Sequence, residues 1–222
     1  MFEGQDGMLY ALLCDGMGSG KNAALTSGSC VVFLEQVLRT GVSIQTALRM
    51  LNHYLRSRSG EPEDEYSSTV DLFALDLYSG QARFVKSGAA CSLVIRDGRL
   101  YRLASHTVPI GILQAIDAQV IPFDVRPGDR ILMMSDGLTD TAQESFDTNG
   151  TGEMDTRAAD DWLTEYLSEH ADELQASSDA TIDSPCTDDT QLIETLFSLA
   201  RKHGSTDDIS MISLRILEEK VG

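Results

Sequence analysis

The spacing of apolar residues in the first quarter of the chain predicts one strand and two helices. Met8–Cys14 is a continuous apolar run that ends at Asp15 and a glycine cluster, which is typical of a buried strand. Residues 23–38 are apolar and compatible with a helix. In residues 43–55 apolar side chains recur every three or four positions, which predicts a second helix with Ser43 as its N-cap.

After the polar loop 56–65 the period changes from 3.6 to two, which indicates strands. The Asp97-Gly98 pair between apolar alternations predicts a hairpin turn. Strands are predicted at 69–77, 82–87, 91–95, 100–103, 119–123, 130–134 and 209–217. This order, without interleaved strand and helix units, argues against a doubly wound parallel sheet and favours an α+β fold with a two-sheet antiparallel core flanked by helices.

The segment 141–190 differs from the rest of the chain in charge. It holds 14 acidic residues and one basic residue, and the whole 222-residue chain carries a net charge of −18. Trp162, Leu163, Tyr166, Leu167 and Leu174 would share one apolar helical face within it. A helix over 191–203 follows, with Asp188 or Asp189 as its N-cap. We therefore expect a single domain over 1–222 with an acidic insertion at 141–190.

Composition excludes several classes of function. The acidic surface would repel nucleic acid and anionic membranes, so neither is an expected partner. No apolar run reaches the roughly 18 residues of a membrane helix, so no membrane segment is expected in this chain. The four cysteines form no CxxC pair or zinc pattern, which favours reduced thiols and a cytoplasmic location.

Three aspartates share one setting that suggests chemistry. Asp15 and Asp136 each end a predicted strand, and Asp207 precedes one. Carboxylates that converge at the rim of a sheet repel one another unless a divalent cation binds them. Ligands that are all oxygen atoms favour a hard cation such as Mg²⁺ or Mn²⁺. The alternative is that each aspartate is only a turn or cap residue.

The glycine cluster that follows Asp15 does not fit a nucleotide site. Lys21 is followed by Asn22 rather than Ser or Thr, so the phosphate-loop pattern fails. Gly18, Gly20 and Ala23 match a dinucleotide fingerprint, but a second helix follows where that fold needs a second parallel strand. A glycine at position 16 would instead let its carbonyl approach a cation beside Asp15.

These residues resemble those of the metal-dependent (type 2C, PPM) serine/threonine phosphatases. The segments DGMGSGKNA, SSTVDLFALDLYSGQARFVKSGAA, VPIGIL and RPGDRILMMSDGLTD are most similar to the C-terminal phosphatase domain of the stage II sporulation protein E family. The resemblance runs from about Met8 to Leu217, apart from the insertion. It implies a four-layer α-β-β-α phosphatase fold, an antiparallel β-sandwich flanked by helices. The family's N-terminal strand, with an S-G-D pattern, would be missing, and Asp6 does not replace it.

The resemblance also implies a site for two Mn²⁺ or Mg²⁺ ions. By position, Asp15 would bridge both ions and the carbonyl of Gly16 would bind one. Asp136 and Asp207 would complete the other, and Asp140 would act through water. Asp15, Asp136 and Asp207 would thus be the catalytic residues. Asp208 is the alternative ligand. It occupies a position where many relatives have Asn, so the two neighbouring aspartates could be confused, and Asp207 is favoured.

The implied function is hydrolysis of phosphoserine on a protein. By resemblance the substrate is a phosphorylated STAS-type anti-sigma-factor antagonist, whose dephosphorylation activates a sporulation sigma factor. Helices 23–38 and 43–55 resemble a pair that switches activity and supports a homodimer. The full-length parent would be anchored in a membrane with this domain on the cytoplasmic side.

Two alternatives stay open at this point. One is a catalytically impaired interaction module with the phosphatase fold, which a missing N-terminal strand would favour. The other is a stress-response sigma regulator phosphatase. Those relatives usually have His between the glycines where this chain has Ser19, which favours the sporulation branch.

Overall fold

A computed structural model describes residues 1–5, 7–58, 66–139, 162–176 and 187–217. The chain divides into two compact units. One contains Met1–Ala89 and Ser105–Val125, and the other contains Ala90–Ala104 and Arg126–Gly222. That residues 1–222 form a single phosphatase domain stays a prediction. No helix among the described residues combines the length and apolar character needed to span a bilayer.

The first unit is a five-stranded antiparallel sheet with two helices. Its elements are β1 (Phe2–Glu3), β2 (Met8–Leu13), α1 (Lys21–Leu38), α2 (Ile44–Arg58), β3 (Val70–Asp76), β4 (Gln81–Ser87) and β7 (Gln119–Asp124). The strand order is β1-β2-β3-β4-β7. The Ser43 hydroxyl accepts a hydrogen bond from the Thr46 amide at 3.3 Å, which confirms the predicted N-cap of α2.

Both helices of this unit cover one face of its sheet. The shared core contains Cys30, Leu34 and Leu38 of α1, Leu48, Leu51 and Leu55 of α2, and Tyr10, Leu12, Val70, Leu72 and Val85 of the strands. Because side chains alternate along a strand, the neighbouring residues lie on the other face. There Phe73 and Phe84 pack with ring centroids 5.0 Å apart, and Lys86 pairs with Asp71 on the adjacent strand.

In its described residues, the second unit is a four-stranded antiparallel sheet with four helices. Its elements are β5 (Ser92–Arg96), β6 (Arg99–Leu103), β8 (Arg130–Met134), α3 (Asp136–Thr139), α4 (Trp162–Glu169), α5 (Ala171–Ala176), α6 (Thr187–Lys202) and β9 (Met211–Arg215). The strand order is β6-β5-β8-β9. Asp97 and Gly98 both have positive φ, which confirms the predicted hairpin turn between β5 and β6.

The core of this unit lies between its sheet and its helices. The buried residues are Leu93, Ile95, Leu132, Met134, Leu138, Leu163, Leu167, Leu192, Leu196 and Ala200. Leu163 and Leu167 belong to the apolar face that the sequence predicts in the acidic segment. The described parts of that segment form two helices, α4 and α5, and most of its remainder lies outside the described residues.

The predicted cap of α6 is wrong. The helix begins at Thr187, so Asp188 and Asp189 both lie inside it. The carboxylate of Asp189 instead pairs with Arg130 at 2.5 Å and Arg215 at 3.1 Å. Two buried or half-buried guanidinium groups on adjacent strands need a counter-charge, and this need outweighs the local capping preference.

The other predicted elements are confirmed within a few residues, and every strand pairing is antiparallel. Two elements were not predicted. One is β1, which pairs with β2 at the edge of the first sheet, and the other is the single turn of α3. Cys14, Cys30 and Cys91 are not in a disulfide, and Cys186 lies outside the described residues.

Candidate metal centre

Asp15 and Gly16 form a turn that directly follows β2. The Asp15 carbonyl accepts bonds from the Thr69 amide at 2.7 Å and from the Ser68 hydroxyl at 2.8 Å. The Asp15 amide donates to the Thr69 hydroxyl at 3.0 Å, and the Met17 amide donates to the Ser67 carbonyl at 2.9 Å. The backbone of the turn is therefore fixed on both sides of Gly16.

This ladder also determines where the Gly16 carbonyl points. Gly16 and Ser68 form an antiparallel bridge whose hydrogen bonds come from the flanking residues. In such a pair the residue directs its own N–H and C=O away from the partner strand. A side chain at position 16 would run into the Ala23 carbonyl of α1. The turn thus needs glycine and directs the Gly16 carbonyl away from Ser68.

The second predicted carboxylate, Asp136, opens α3 directly after β8. The preceding residue, Ser135, donates its amide to the Ser210 carbonyl at 2.9 Å and accepts a bond from the Ser210 amide on its hydroxyl at 3.0 Å. A side chain at Gly137 would run into the Asp208 carbonyl. Asp136 is half-buried. It lies between the end of the apolar strand β8 and the close approach of Gly137 to the Asp208 carbonyl.

The third predicted carboxylate, Asp207, lies in the exposed loop between α6 and β9. Its Oδ1 accepts a bond from the Asp208 amide at 2.9 Å. The Ser205 hydroxyl donates to the Gly137 carbonyl at 2.6 Å, so the same loop is tied to the Asp136 turn. The second unit therefore brings Asp136 and the Asp207–Asp208 pair to adjacent turns, as the sequence predicts for strand ends.

The complete ligand set stays a prediction. Asp15 and Gly16 belong to the first unit, Asp136 and Asp207 belong to the second, and Asp140 lies outside the described residues. Across the ranges that the structure describes, no group of three or more His, Cys, Asp or Glu side chains is arranged to hold a metal ion. Each unit by itself supplies one part of the predicted set.

The donor chemistry of these parts fits a hard divalent cation. Each turn offers carboxylate oxygen at a strand end, and one adds a backbone carbonyl. Mg²⁺ and Mn²⁺ take such oxygen ligands, whereas softer metals prefer thiolate or imidazole. The close packing at Gly16 and Gly137 holds the backbone of both turns in place. The residues present therefore suit the predicted Mn²⁺ or Mg²⁺.

Two thiols near the first turn do not compete as ligands. Burial is the main cause that raises the pKa of Cys14 well above its usual range, and nearby Cys30, Asp71 and Asp15 add to it. Burial also raises the pKa of Cys30 to about 11, although a hydrogen bond with Ser68 opposes the shift. Because only the thiolate is a good metal ligand, both thiols are inert at neutral pH.

Sequence reasoning missed the residues that hold the turns in place. Ser68, Thr69 and Ser205 act through hydroxyl groups on backbone segments far away in the sequence. Short runs of Ser and Thr beside the Asp-Gly pairs were the available signal, in Ser67-Ser68-Thr69 and in Gly204-Ser205-Thr206. Such runs are common in ordinary turns, so only the pairing of the strands identifies their partners.

Comparison with known sequences identifies the family to which the chain is similar. The family described as "Stage II sporulation protein E (SpoIIE)" matches residues 5–217. Stage II sporulation protein E of Bacillus subtilis (strain 168) is 33% identical over 128 residues, which cover 58% of this chain and 15% of that protein. The chain thus spans a small part of that relative's length.

Comparison with solved structures identifies the fold. The PP2C phosphatase domain of SpoIIE from Bacillus subtilis, solved with a fragment of its regulatory domain, has a TM-score of 0.65 and 23% identity. That match covers 95% of this chain and 58% of the other. RsbX in complex with magnesium has a TM-score of 0.59 and 12% identity, and the match covers 95% and 82% of the two chains. The chain therefore has the PP2C phosphatase fold.

Proposed function

The chain is a PP2C-type phosphatase domain of the stage II sporulation protein E family, and on this premise we propose that it is a metal-dependent phosphoserine protein phosphatase. One observation carries the proposal. Each unit fixes an Asp-Gly turn at the end of a strand, and at both glycines a side chain would strike a backbone carbonyl. A merely structural turn does not require a carboxylate at these places, whereas a cation site does.

In the proposed reaction Asp15, the Gly16 carbonyl, Asp136 and Asp207 would hold the cations, and Asp140 would contribute through water. When bound, two divalent cations would supply hydroxide near neutral pH by lowering the pKa of water. The bond between phosphorus and the serine oxygen breaks, a new bond from phosphorus to the water oxygen forms, and the serine oxygen takes up a proton. The fixed backbone of each turn keeps the carboxylates in place, so little reorganisation is needed.

The decisive experiment is an assay of phosphate release from a phosphoserine protein with Mn²⁺ and then with chelator. Asp136→Asn removes the charge but keeps the shape, so we expect turnover to be lost while the circular dichroism spectrum is unchanged. Asp208→Asn is the matched control for Asp207→Asn, and only the latter should abolish release. Unchanged turnover in folded Asp136→Asn would overturn the site assignment.

We further propose a phosphorylated STAS-type anti-sigma-factor antagonist as the substrate, with activation of a sporulation sigma factor as the result. Membership of the stage II sporulation protein E family supports this choice. The test compares kcat/KM for such a phosphoprotein with that for a generic aryl phosphate. Equal values after correction for leaving-group reactivity would argue against a dedicated protein substrate.

A homodimer through α1 and α2 belongs to the same proposal. Leu25 and Val32 lie seven residues apart on α1, and both side chains are 58% exposed. Residues at this spacing share one helix face, and an exposed apolar face suits burial against a partner. A monomeric mass in sedimentation equilibrium at micromolar concentration would contradict it.

We also propose that the domain works on the cytoplasmic side of a membrane that anchors its parent protein. The thiols of Cys14 and Cys30, which form no disulfide, support a reducing compartment. Digestion of the domain by protease added to intact cells would contradict this location.

A non-catalytic interaction module is the second candidate. Calorimetric titration with Mn²⁺ separates the two candidates, because an interaction module need not bind the ion. Binding that Asp136→Asn abolishes would support the enzyme.

A further inference from the structure

We infer that Asn52 of α2 is a positioning residue that sets the geometry of the Asp15–Gly16 turn through the segment 110–114. The inference rests on the proposed function for the role of that turn. Asn52 is only 4% exposed, although it is polar and lies in a helix whose other buried residues are apolar. A buried amide is stabilising only when its hydrogen-bonding groups are satisfied.

All of the Asn52 side-chain bonds go to one short backbone segment. Its Oδ1 accepts from the Gly111 amide at 2.8 Å, and its Nδ2 donates to the Leu113 carbonyl at 3.1 Å and the Gln114 carbonyl at 3.2 Å. An amide donor needs an acceptor and a carbonyl needs a donor, so these partners fix the orientation of the amide group. Asn52 therefore holds the segment against α2 at three points.

The same segment packs closely against the backbone that precedes β3. Gly111 has φ of 101°, and a side chain there would run into the Tyr66 carbonyl and lie 3.1 Å from the Ser67 Cα. The segment thus passes close to the backbone just before Ser68. Arg56 of α2 adds a further bond to the same segment, because it donates to the Ile112 carbonyl at 3.1 Å from an exposed position.

From Gly111 the connection continues to the candidate metal ligands. Ile110 and Ser68 exchange both backbone hydrogen bonds, at 2.9 Å and 3.0 Å. Ser68 is in turn bridged to Gly16, with the Thr69 amide donating to Asp15 and the Met17 amide donating to Ser67. Asn52, residues 110–111, Ser68 and Gly16 therefore form one continuous hydrogen-bonded path within the first unit.

The function of this path is to fix the ligand oxygens of Asp15 and Gly16. Residues that orient metal ligands through hydrogen bonds typically change metal affinity by about 10- to 100-fold when they are removed. Asn52→Ala should release the segment and loosen the ladder at Gly16. We expect Mn²⁺ affinity to fall about 10-fold, with turnover recovered at saturating Mn²⁺ and the KM for substrate unchanged.

Hydrogen exchange on the metal-free chain provides a readout that does not depend on activity. In Asn52→Ala the amides of Met17 and Thr69 should exchange faster, while the Ser135 amide of the second unit should exchange as in the wild type. His53→Ala is the matched control, because this neighbouring α2 residue is exposed and should change neither readout. Asn52→Ser is shorter but keeps a hydroxyl and introduces no buried charge, so it provides a second variant if Asn52→Ala does not fold.

The outcomes separate this inference from the proposed function. Normal exchange at Met17 and Thr69 together with unchanged Mn²⁺ affinity in a folded Asn52 variant would overturn the positioning role. Equal acceleration at all amides would also overturn it, because that result indicates only global destabilisation. If the wild-type chain binds no Mn²⁺, the proposed function fails, and the exchange experiment still decides whether Asn52 orders the turn.

Discussion

The Asp15 turn in the first unit and the Asp136 turn in the second use the same dipeptide but different supports. Asp-Gly follows an apolar strand in both. The Asp15 turn is held by backbone bonds to Thr69 and Ser67, so it extends a sheet. The Asp136 turn has one backbone bond, from the Ser135 amide to the Ser210 carbonyl, and otherwise depends on the hydroxyls of Ser135 and Ser205 against an exposed loop. The comparison shows that a local motif does not determine how rigidly it is held.

The two units also differ in how far water reaches their buried ion pairs. Lys86 and Asp71 are 2.7 Å apart, and their side chains are 0% and 2% exposed. Arg130 is also buried, but its partner Asp189 is 24% exposed. Water therefore reaches one ion pair and not the other, which changes the cost of losing a partner. In the first unit both the turn and the charge pair depend on strand pairing.

The largest effect is expected for Lys86→Met. It leaves the Asp71 carboxylate buried without Lys86, so we expect a loss of about 3–5 kcal/mol in the free energy of unfolding. Asp189→Asn should cost only about 1–3 kcal/mol, because water reaches this pair and asparagine can still accept a bond from Arg130. Urea denaturation of the two variants measures the difference.

The control for this prediction is the double variant Asp71→Leu/Lys86→Met. Replacing both partners by apolar residues of similar size should recover most of the loss, because no unpaired charge is then buried. A double variant as unstable as Lys86→Met alone would mean that packing rather than charge explains the effect.

Two glycine substitutions test the two turns directly. Gly16→Ala should destabilise by about 1–3 kcal/mol, because its methyl group would meet the Ala23 carbonyl in the rigid helix α1. Gly137→Ala should cost less, since it meets the Asp208 carbonyl in an exposed loop that can shift. Thermal unfolding of both variants, with Mn²⁺ titration of each, measures the order.

Gly28→Ala is the matched control within α1. Nothing lies within 4 Å of a Cβ at this position. Alanine is favoured over glycine in a helix interior by up to about 1 kcal/mol, so this variant should be more stable than the wild type. If Gly16→Ala were equally harmless, close packing at the Asp15 turn would be excluded as a cause of its rigidity.

The smallest loss of stability is expected from ionisation of the thiols near the Asp15 turn. The pKa of Cys30 is raised by burial to about 11, so the folded chain keeps its proton at a pH where the unfolded chain loses it. The free energy of unfolding should therefore fall as pH rises from about 9 to 11, by about 1.4 kcal/mol at pH 10. Urea denaturation at pH 8 and pH 10 measures this fall, which Cys30→Ala should reduce. An equal fall in that variant would assign the effect to other groups.

Much of the fold follows from local sequence. The apolar run before Asp15, the helical spacing after Ser43 and the alternation from Thr69 onward predict elements that the structure confirms within a few residues. The two Asp-Gly pairs were also predictable as strand ends. Periodicity suffices here because each strand or helix must bury one face, whatever its partner is.

Tertiary structure decided which segments pair and what each polar residue contacts. The sequence suggested Asp189 as a helix cap, but the approach of β8 and β9 makes it the partner of two arginines. It contained no sign that Asn52 would bind residues about 60 positions away or that Lys86 would face Asp71. Such contacts depend on register between distant segments, and the free energy that fixes register comes from burial of the whole sheet rather than from any local run of residues.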